Sequence, residues 1–392
     1  MIYLDHHSTT PCHPDVLQAM TAWLAVPANP HSTHAAGIQA RAAVDESLAE
    51  IASLLDGDSG RIVATSGATE SVNLAITGFC LHPRQKRRVI ATTPIEHPCV
   101  LETMQALGKV GFTIRWVDVD AAGQVQLDSL RRVCDDQTAL VSVGWANNEI
   151  GTIQPMRQIA DVVHARGAVL HTDATQAVGR IPVSIVESDV DLLSASAHKF
   201  YGPQGVGLLM LHPRRRVRLR PSQIGGGQQS GLRGGTMPVA LCVGMARALR
   251  LAQKALDDGN LDDGKPEFGN PTQRLSENTV LFWQRLQAEI PGLHLNGLPL
   301  ESEQRLPGNL NFSLPDVEGE ALLAATPGLA MSTGSACSSV DPTPSHVLMA
   351  IGLDESAARR SLRIGLGRNN TAAEVEAAVA QIGESYRRLK AA

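Results

Sequence analysis

Asp173 follows the apolar run AVLH within HTDATQ, and Lys199 follows VDLLSAS within SASAHKFYGP. An acid and an amine at the ends of two strands of one sheet suit a cofactor held as an imine to lysine, with a ring nitrogen kept protonated by a carboxylate. That is the chemistry of pyridoxal phosphate, whose protonated ring accepts electrons from a substrate Cα. Taken singly, a lysine ending a strand is usually solvated and an aspartate there usually caps a turn. Further polar residues stand at comparable places. TSGATES puts Gly67, Ala68 and Thr69 between a strand and a helix, where backbone N–H groups can receive a phosphate. It matches neither a Walker loop nor the G-x-G-x-x-G fingerprint, and a threonine-led helix cap is the plainer reading. His97 in IEHPCVLE could stack on a flat cofactor or serve as a turn residue, and one amide of Asn147 or Asn148 in WANNEIGT could bond a cofactor hydroxyl.

These residues need a scaffold that brings strand ends together. From about residue 61 to 211, short β-rich runs (RIVATS, RVIATT, ALVSVGW, AVLHTD, VDLLSAS, VGLLML) alternate with helical ones. The alternation predicts an α/β fold, a mostly parallel mixed sheet sandwiched by helices, with ligands bound outside the carboxyl ends of the strands. Val44, Leu48, Ile51 and Leu55 mark an amphipathic helix upstream. The acidic, Gly- and Pro-rich stretch at residues 257–271 reads as an exposed connection. Beyond it, a helix near SENTVLFWQRLQAEI, strands at NLNFSL, GLAMS and SLRIGL and a closing helix make a smaller α+β unit. The expected division is residues 15–260 as the large domain, and 1–14 with 261–392 as the small one.

The 392 residues are 43% hydrophobic and 19% charged, the composition of a folded globular chain. A net charge of −5 and only six Phe, four Trp and three Tyr offer little to nucleic acid or an anionic membrane. No run reaches the roughly 20 apolar residues of a membrane helix, and the opening MIYLDHHSTTP lacks the basic and apolar stretches of a signal peptide, so a cytoplasmic location is expected. Six scattered cysteines without a C-x-x-C pair argue against a disulfide framework or a preformed cluster site. His6 and His7, read as neighbours on a strand, would face opposite ways and are not expected to share a metal ion. Arg233, in the Gly-rich GGGQQSGLRGG, could bind an anion or be solvated.

The ordered set SGATES, EHPCVLE, NNEIGT, HTDATQAVG, SASAHKFYGP, GGGQQSGLRGGT, GSACSS and SLRIGLGR closely resembles the cysteine desulfurases of the nitrogen-fixation and iron–sulfur-assembly type, class V aminotransferases of pyridoxal phosphate fold type I. The resemblance covers nearly the whole chain. It implies that Lys199 binds the cofactor, Asp173 pairs with the pyridine nitrogen, His97 stacks on the ring and shuttles protons, and Asn148 and Gln176 contact the ring oxygen. Ala68, Thr69, Ser196 and His198 would hold the phosphate. Thr236 would reach the phosphate of a second subunit, implying a homodimer. Arg363 would clamp the carboxylate of L-cysteine, with Asn29 as a further substrate contact.

The same resemblance gives the reaction: sulfur leaves L-cysteine as a persulfide on Cys337, L-alanine is released, and the sulfur passes to an acceptor or iron–sulfur scaffold protein. Cys337 lies in MSTGSACSSVDPTPS, dense in Gly, Ser and Pro, so a mobile, exposed loop is expected; its length is that of the family's long-loop group. An exposed thiol near pKa 8.5 is a modest nucleophile at neutral pH. Cys80, Cys134 and Cys242 have helical or apolar neighbours and are expected to be buried, and packing is also preferred for Cys99. No resident metal is expected, and a transient contact of Cys337 with cluster iron is left open. Other reactions on this scaffold (transamination, selenocysteine or cystine lysis) need the lysine and aspartate but no mobile thiol; a non-catalytic assembly scaffold would need neither.

Overall fold

The computed structural model describes residues 1–257, 271–333 and 343–391. The expected acidic connection and the Cys337 segment therefore lie, for the most part, outside the described residues. The strands are β1 (Ile2–Tyr3), β2 (Ile62–Thr65), β3 (Val89–Thr92), β4 (Thr113–Trp116), β5 (Thr138–Ser142), β6 (Val169–Asp173), β7 (Leu192–Ser196), β8 (Gly207–Leu211), β9 (His294–Leu295), β10 (Asn309–Ser313), β11 (Leu329–Ala330) and β12 (Ser361–Gly365).

Seven of them form one sheet in the order β2-β8-β7-β6-β5-β3-β4. Only β8 runs against its neighbours β2 and β7. The mostly parallel mixed sheet expected from the alternating runs is present. β2, β3, β5, β7 and β8 are buried along their whole length, as helices on both faces require. β4 is the exception. Its sequence TIRW is exposed at both ends, carries no apolar run, and was not expected as a strand.

Because β2, β3, β5, β6 and β7 run the same way, their carboxyl ends converge on one edge. The reversed β8 begins at that edge, and its Gly207 lies so close to the loop after β2 that a Cβ there would sit 2.7 Å from Gly67 Cα. Glycine at 207 is what lets that loop settle against the sheet.

A second core gathers Leu4, Phe282, Leu286, Leu310, Phe312, Leu362, Ile364 and Val379, all fully buried or nearly so. Its sheet is β12-β10-β9, antiparallel. β1 pairs in parallel with β11, and a bridge joins Asp5 to Gly365, so the first residues of the chain are built into the structure of the last.

At the opposite edge of the large sheet, buried Asp191 accepts from Leu170 N–H and lies 2.8 Å from His164 Nε2. Arg215 Nε is 3.4 Å from its other oxygen. Asp191→Ala would leave the Leu170 N–H without its acceptor and remove the carboxylate beside His164, while Arg215 keeps Asp189; urea denaturation should report a loss of about 3 kcal/mol, and a change below about 1 kcal/mol would mean that the cluster carries little stability.

Candidate active site

A cavity of about 780 Å³ opens at the convergent edge. Lys199, Asp173, Gln176, His97, Asn148, Ala68, Thr69, Ser196, His198 and Arg363 all line it. Two expected residues do not. Thr236 is exposed and is not in the lining, and Asn29 is exposed, its Oδ1 accepting from His31 N–H at 3.0 Å. Within one chain neither reaches the site. Cys337 lies outside the described residues, but the chain returns from that segment at the cavity wall, where Thr343, Pro344, Ser345 and His346 are found.

Asp173 ends β6 and is paired with Ser194 of β7; Lys199 closes the short turn Ala197–Lys199 directly after β7. Adjacent parallel strands thus deliver acid and amine to one space. The amine donates to the carbonyls of His7 and Ser8 at 2.7 Å each. His7 also holds Gln176, its Nδ1 lying 3.1 Å from Gln176 Oε1 while its carbonyl accepts from Gln176 Nε2 at 2.9 Å. His6 and His7 follow Asp5 in a turn rather than lying on a strand, and His7 belongs to the cavity. The polar run DHHST after an apolar start was the signal for it.

Burial, with the charges of Asp173 opposing and of Lys199 and His346 reinforcing, lowers the pKa of His97. The ring stays neutral at neutral pH. It caps the helix Pro98–Lys109, Nδ1 accepting from Cys99 N–H at 3.2 Å, which places the ring proton on Nε2. His198 is likewise pushed down to about 4 by burial and by the cations Lys199 and Arg180.

The helix Ala68–Cys80 opens at Gly67, whose φ of 155° and ψ of −178° are a glycine conformation. No side chain caps it, contrary to the threonine-cap reading, so its first-turn N–H groups are presented to the cavity beside Ser196 and His198. Arg233 is half-buried rather than solvated, and its Nε pairs at 2.9 Å with Glu70 in that first turn.

Arg363 is almost fully buried and donates to the carbonyl of Asn148 at 3.0 Å and to Asp5 Oδ1 at 2.9 Å. Two buried acids were not foreseen as site residues. Glu96 accepts from Thr93 Oγ1 and Gly144 N–H, and burial pushes its carboxyl up to about 7. Glu149 accepts from Ser345 Oγ at 2.5 Å. Burial pushes it up to about 7 against the Ser345 hydrogen bond and the charge of Arg363. As expected, Cys80, Cys99, Cys134 and Cys242 are buried, and burial raises Cys80 and Cys242 to about 12.

The family profile for class-V aminotransferases matches residues 2–378. A cysteine desulfurase of Rattus norvegicus is 40% identical over 391 residues, covering 99% of this chain and 83% of the relative. The cysteine desulfurase IscS of Ehrlichia chaffeensis is 39% identical, covering 99% and 92%. This chain belongs to the cysteine desulfurases of the class-V aminotransferase family. A solved NifS-like protein superimposes with a TM-score of 0.88 at 35% identity, covering 99% of both chains.

The family's cofactor can be tested against the residues present. An amine, a carboxylate facing the same cavity and an uncapped helix N-terminus match an aldehyde, a pyridine nitrogen and a phosphate. Thr175 Oγ1, His7 Nε2 and Arg363 Nε are buried polar atoms without a partner among the described residues, and all three residues line the cavity. The donor set fits pyridoxal phosphate.

Glu149 gives a signed pH effect. Its folded-state pKa of about 7 lies above the ordinary 4.5, so the native state binds more protons between those values. Stability from this group falls as pH rises through that window and levels off above it. Glu149→Gln should therefore gain on the parent protein between pH 5 and pH 8, by on the order of 2–3 kcal/mol in urea denaturation; a pH-independent difference would rule out the raised pKa.

Proposed function

We propose that this cysteine desulfurase uses pyridoxal phosphate on Lys199 to take sulfur from L-cysteine, leaving L-alanine and a persulfide on Cys337, and passes that sulfur to an acceptor protein for iron–sulfur or thio-cofactor assembly. The observation that carries the reading is one cavity lined by Lys199, Asp173 and Arg363 together, with the return of the Cys337 segment in its wall.

When bound, the cofactor supplies an electron sink for charge developing at the substrate Cα. Lys199 would hold it through Nζ and, once released, move the proton at Cα. Asp173 would keep the ring nitrogen protonated, and His97 would lie against the ring as a neutral imidazole able to hold or pass a proton at Nε2. The N–H groups at Ala68 and Thr69, with Ser196 and His198, would hold the phosphate. Asn148 and Gln176 would serve the ring oxygen; Gln176 Nε2 carries a second hydrogen beyond the one given to His7. Arg363 would take the substrate carboxylate by its planar fork.

The Cys337 thiolate attacks the substrate sulfur: a new S–S bond forms as the Cβ–S bond breaks. The electron pair of the broken bond stays with the carbon fragment, which gains a proton at Cβ and leaves as L-alanine. Thr236, exposed and not among the residues that line its own chain's cavity, fits a contact to the phosphate of a second subunit, and a homodimer is part of this reading. So is the two-domain division at residues 15–260 and 1–14 with 261–392, supported by the cluster that gathers Leu4, Phe282, Leu310, Ile364 and Val379. A cytoplasmic location fits the five described cysteines, all free thiols. Among the described residues no helix is long and apolar enough to cross a membrane.

Two substitutions test the assignment in the purified holoenzyme. Cys337→Ser should keep the visible absorption of the bound cofactor, show no persulfide on the residue-337 peptide by mass spectrometry, and lose sulfur transfer. Lys199→Ala should lose the covalent cofactor band and slow alanine formation about a hundredfold or more. Undiminished sulfur transfer by Cys337→Ser would refute the role of Cys337.

A further inference from the structure

Arg363 meets its carboxylate partner before any substrate arrives. Its Nη2 donates to Asp5 Oδ1 at 2.9 Å and its Nη1 to the Asn148 carbonyl at 3.0 Å. Its Nε is buried with no hydrogen-bond partner among the described residues. Of the guanidinium's five N–H donors these contacts use two, and the buried Nε–H is among those left over.

Backbone pairing, rather than side-chain reach alone, fixes this arrangement. Asp5 is bridged to Gly365 two residues beyond Arg363, and Arg363 is bridged to Ser332, with backbone N–H to carbonyl bonds of 2.7 and 3.3 Å between them. Ser332 Oγ also donates to Asp5 Oδ1 at 3.3 Å. Three segments distant in sequence thus hold one acid against one guanidinium. Asp5 is itself about one-fifth exposed, while Arg363 is 2% exposed.

We infer that Asp5 is a positioning residue that sets how strongly Arg363 holds an α-carboxylate. It rests on the reading of Arg363 as the substrate-carboxylate site. Asp5 fixes the guanidinium plane through Nη2, and its negative charge offsets part of the attraction that a buried arginine would otherwise exert on an anion. L-Cysteine and L-alanine carry the same carboxylate, so the offset acts on substrate and product alike. It loosens the hold on both by a similar factor. A thiol amine that lacks the carboxylate does not feel it.

The test uses the holoenzyme and three ligands: L-cysteine in turnover, and L-alanine and 2-aminoethanethiol in binding titrations read from the cofactor's visible absorption. Asp5→Asn keeps an acceptor for Nη2 and removes the charge. It should bind L-alanine about three- to tenfold more tightly and lower the KM for L-cysteine by a similar factor without raising kcat, while 2-aminoethanethiol affinity stays within about twofold. Asp5→Glu, which restores the charge, should return the alanine affinity toward the parent's. Asp5→Ser removes the same charge and takes the place of Asp5→Asn if that variant does not fold.

A purely structural role predicts the opposite: a misplaced arginine, weaker alanine binding and a higher KM in Asp5→Asn. Weaker or unchanged alanine binding there, with binding lost in Arg363→Ala, overturns the inference and leaves the carboxylate assignment standing. Unchanged alanine binding in Arg363→Ala overturns the carboxylate assignment itself, and the inference with it.

Discussion

The site depends on a lysine amine held by the main chain of a distant segment. Lys199 gives its protons to the carbonyls of His7 and Ser8, and those residues stand just after Asp5, which is built into the small antiparallel sheet through Gly365. One short stretch therefore touches the amine at one end and the Arg363 guanidinium at the other. The large sheet alone could deliver Lys199 and Asp173 by strand order. It could not set their distance from the arginine, which β12 carries in the second core.

Electrostatics around that stretch is unusual in its sign. Lys199, Arg180 and Arg363 lie close together, and the imidazoles among them are kept neutral: His6 is pushed down to about 3 by burial and by Arg180 and Arg368, His7 well below its ordinary value, and His198 to about 4. Fixed cations outnumber anions there, and the histidines add no further charge. Such a site suits a ligand with a phosphate at one end and a carboxylate at the other, since both find donors without protons having to be rearranged.

Much of this was legible in the sequence. Each buried parallel strand announced itself as a short apolar run followed by the polar residue that later faced the cavity, as AVLH precedes Asp173 and VDLLSAS precedes Lys199. β4 was not legible because an exposed, four-residue edge strand has no apolar run to show. Glu96 and Glu149 were hidden for a different reason: a carboxylate's burial is decided by tertiary packing, and nothing local in IEHP or NNEIG marks it. Asn29 and Thr236 carried roles by resemblance, and a single chain does not bring either to the cavity.

The described cysteines bear on how a persulfide-forming chain avoids modifying itself. With thiols near 12, Cys80 and Cys242 are ionised to about one part in 10⁴ or less at neutral pH, and burial bars a donor from reaching them. They are spectators to sulfur traffic, so a labile sulfur atom has little opportunity to wander inward and be lost in the hydrophobic interior.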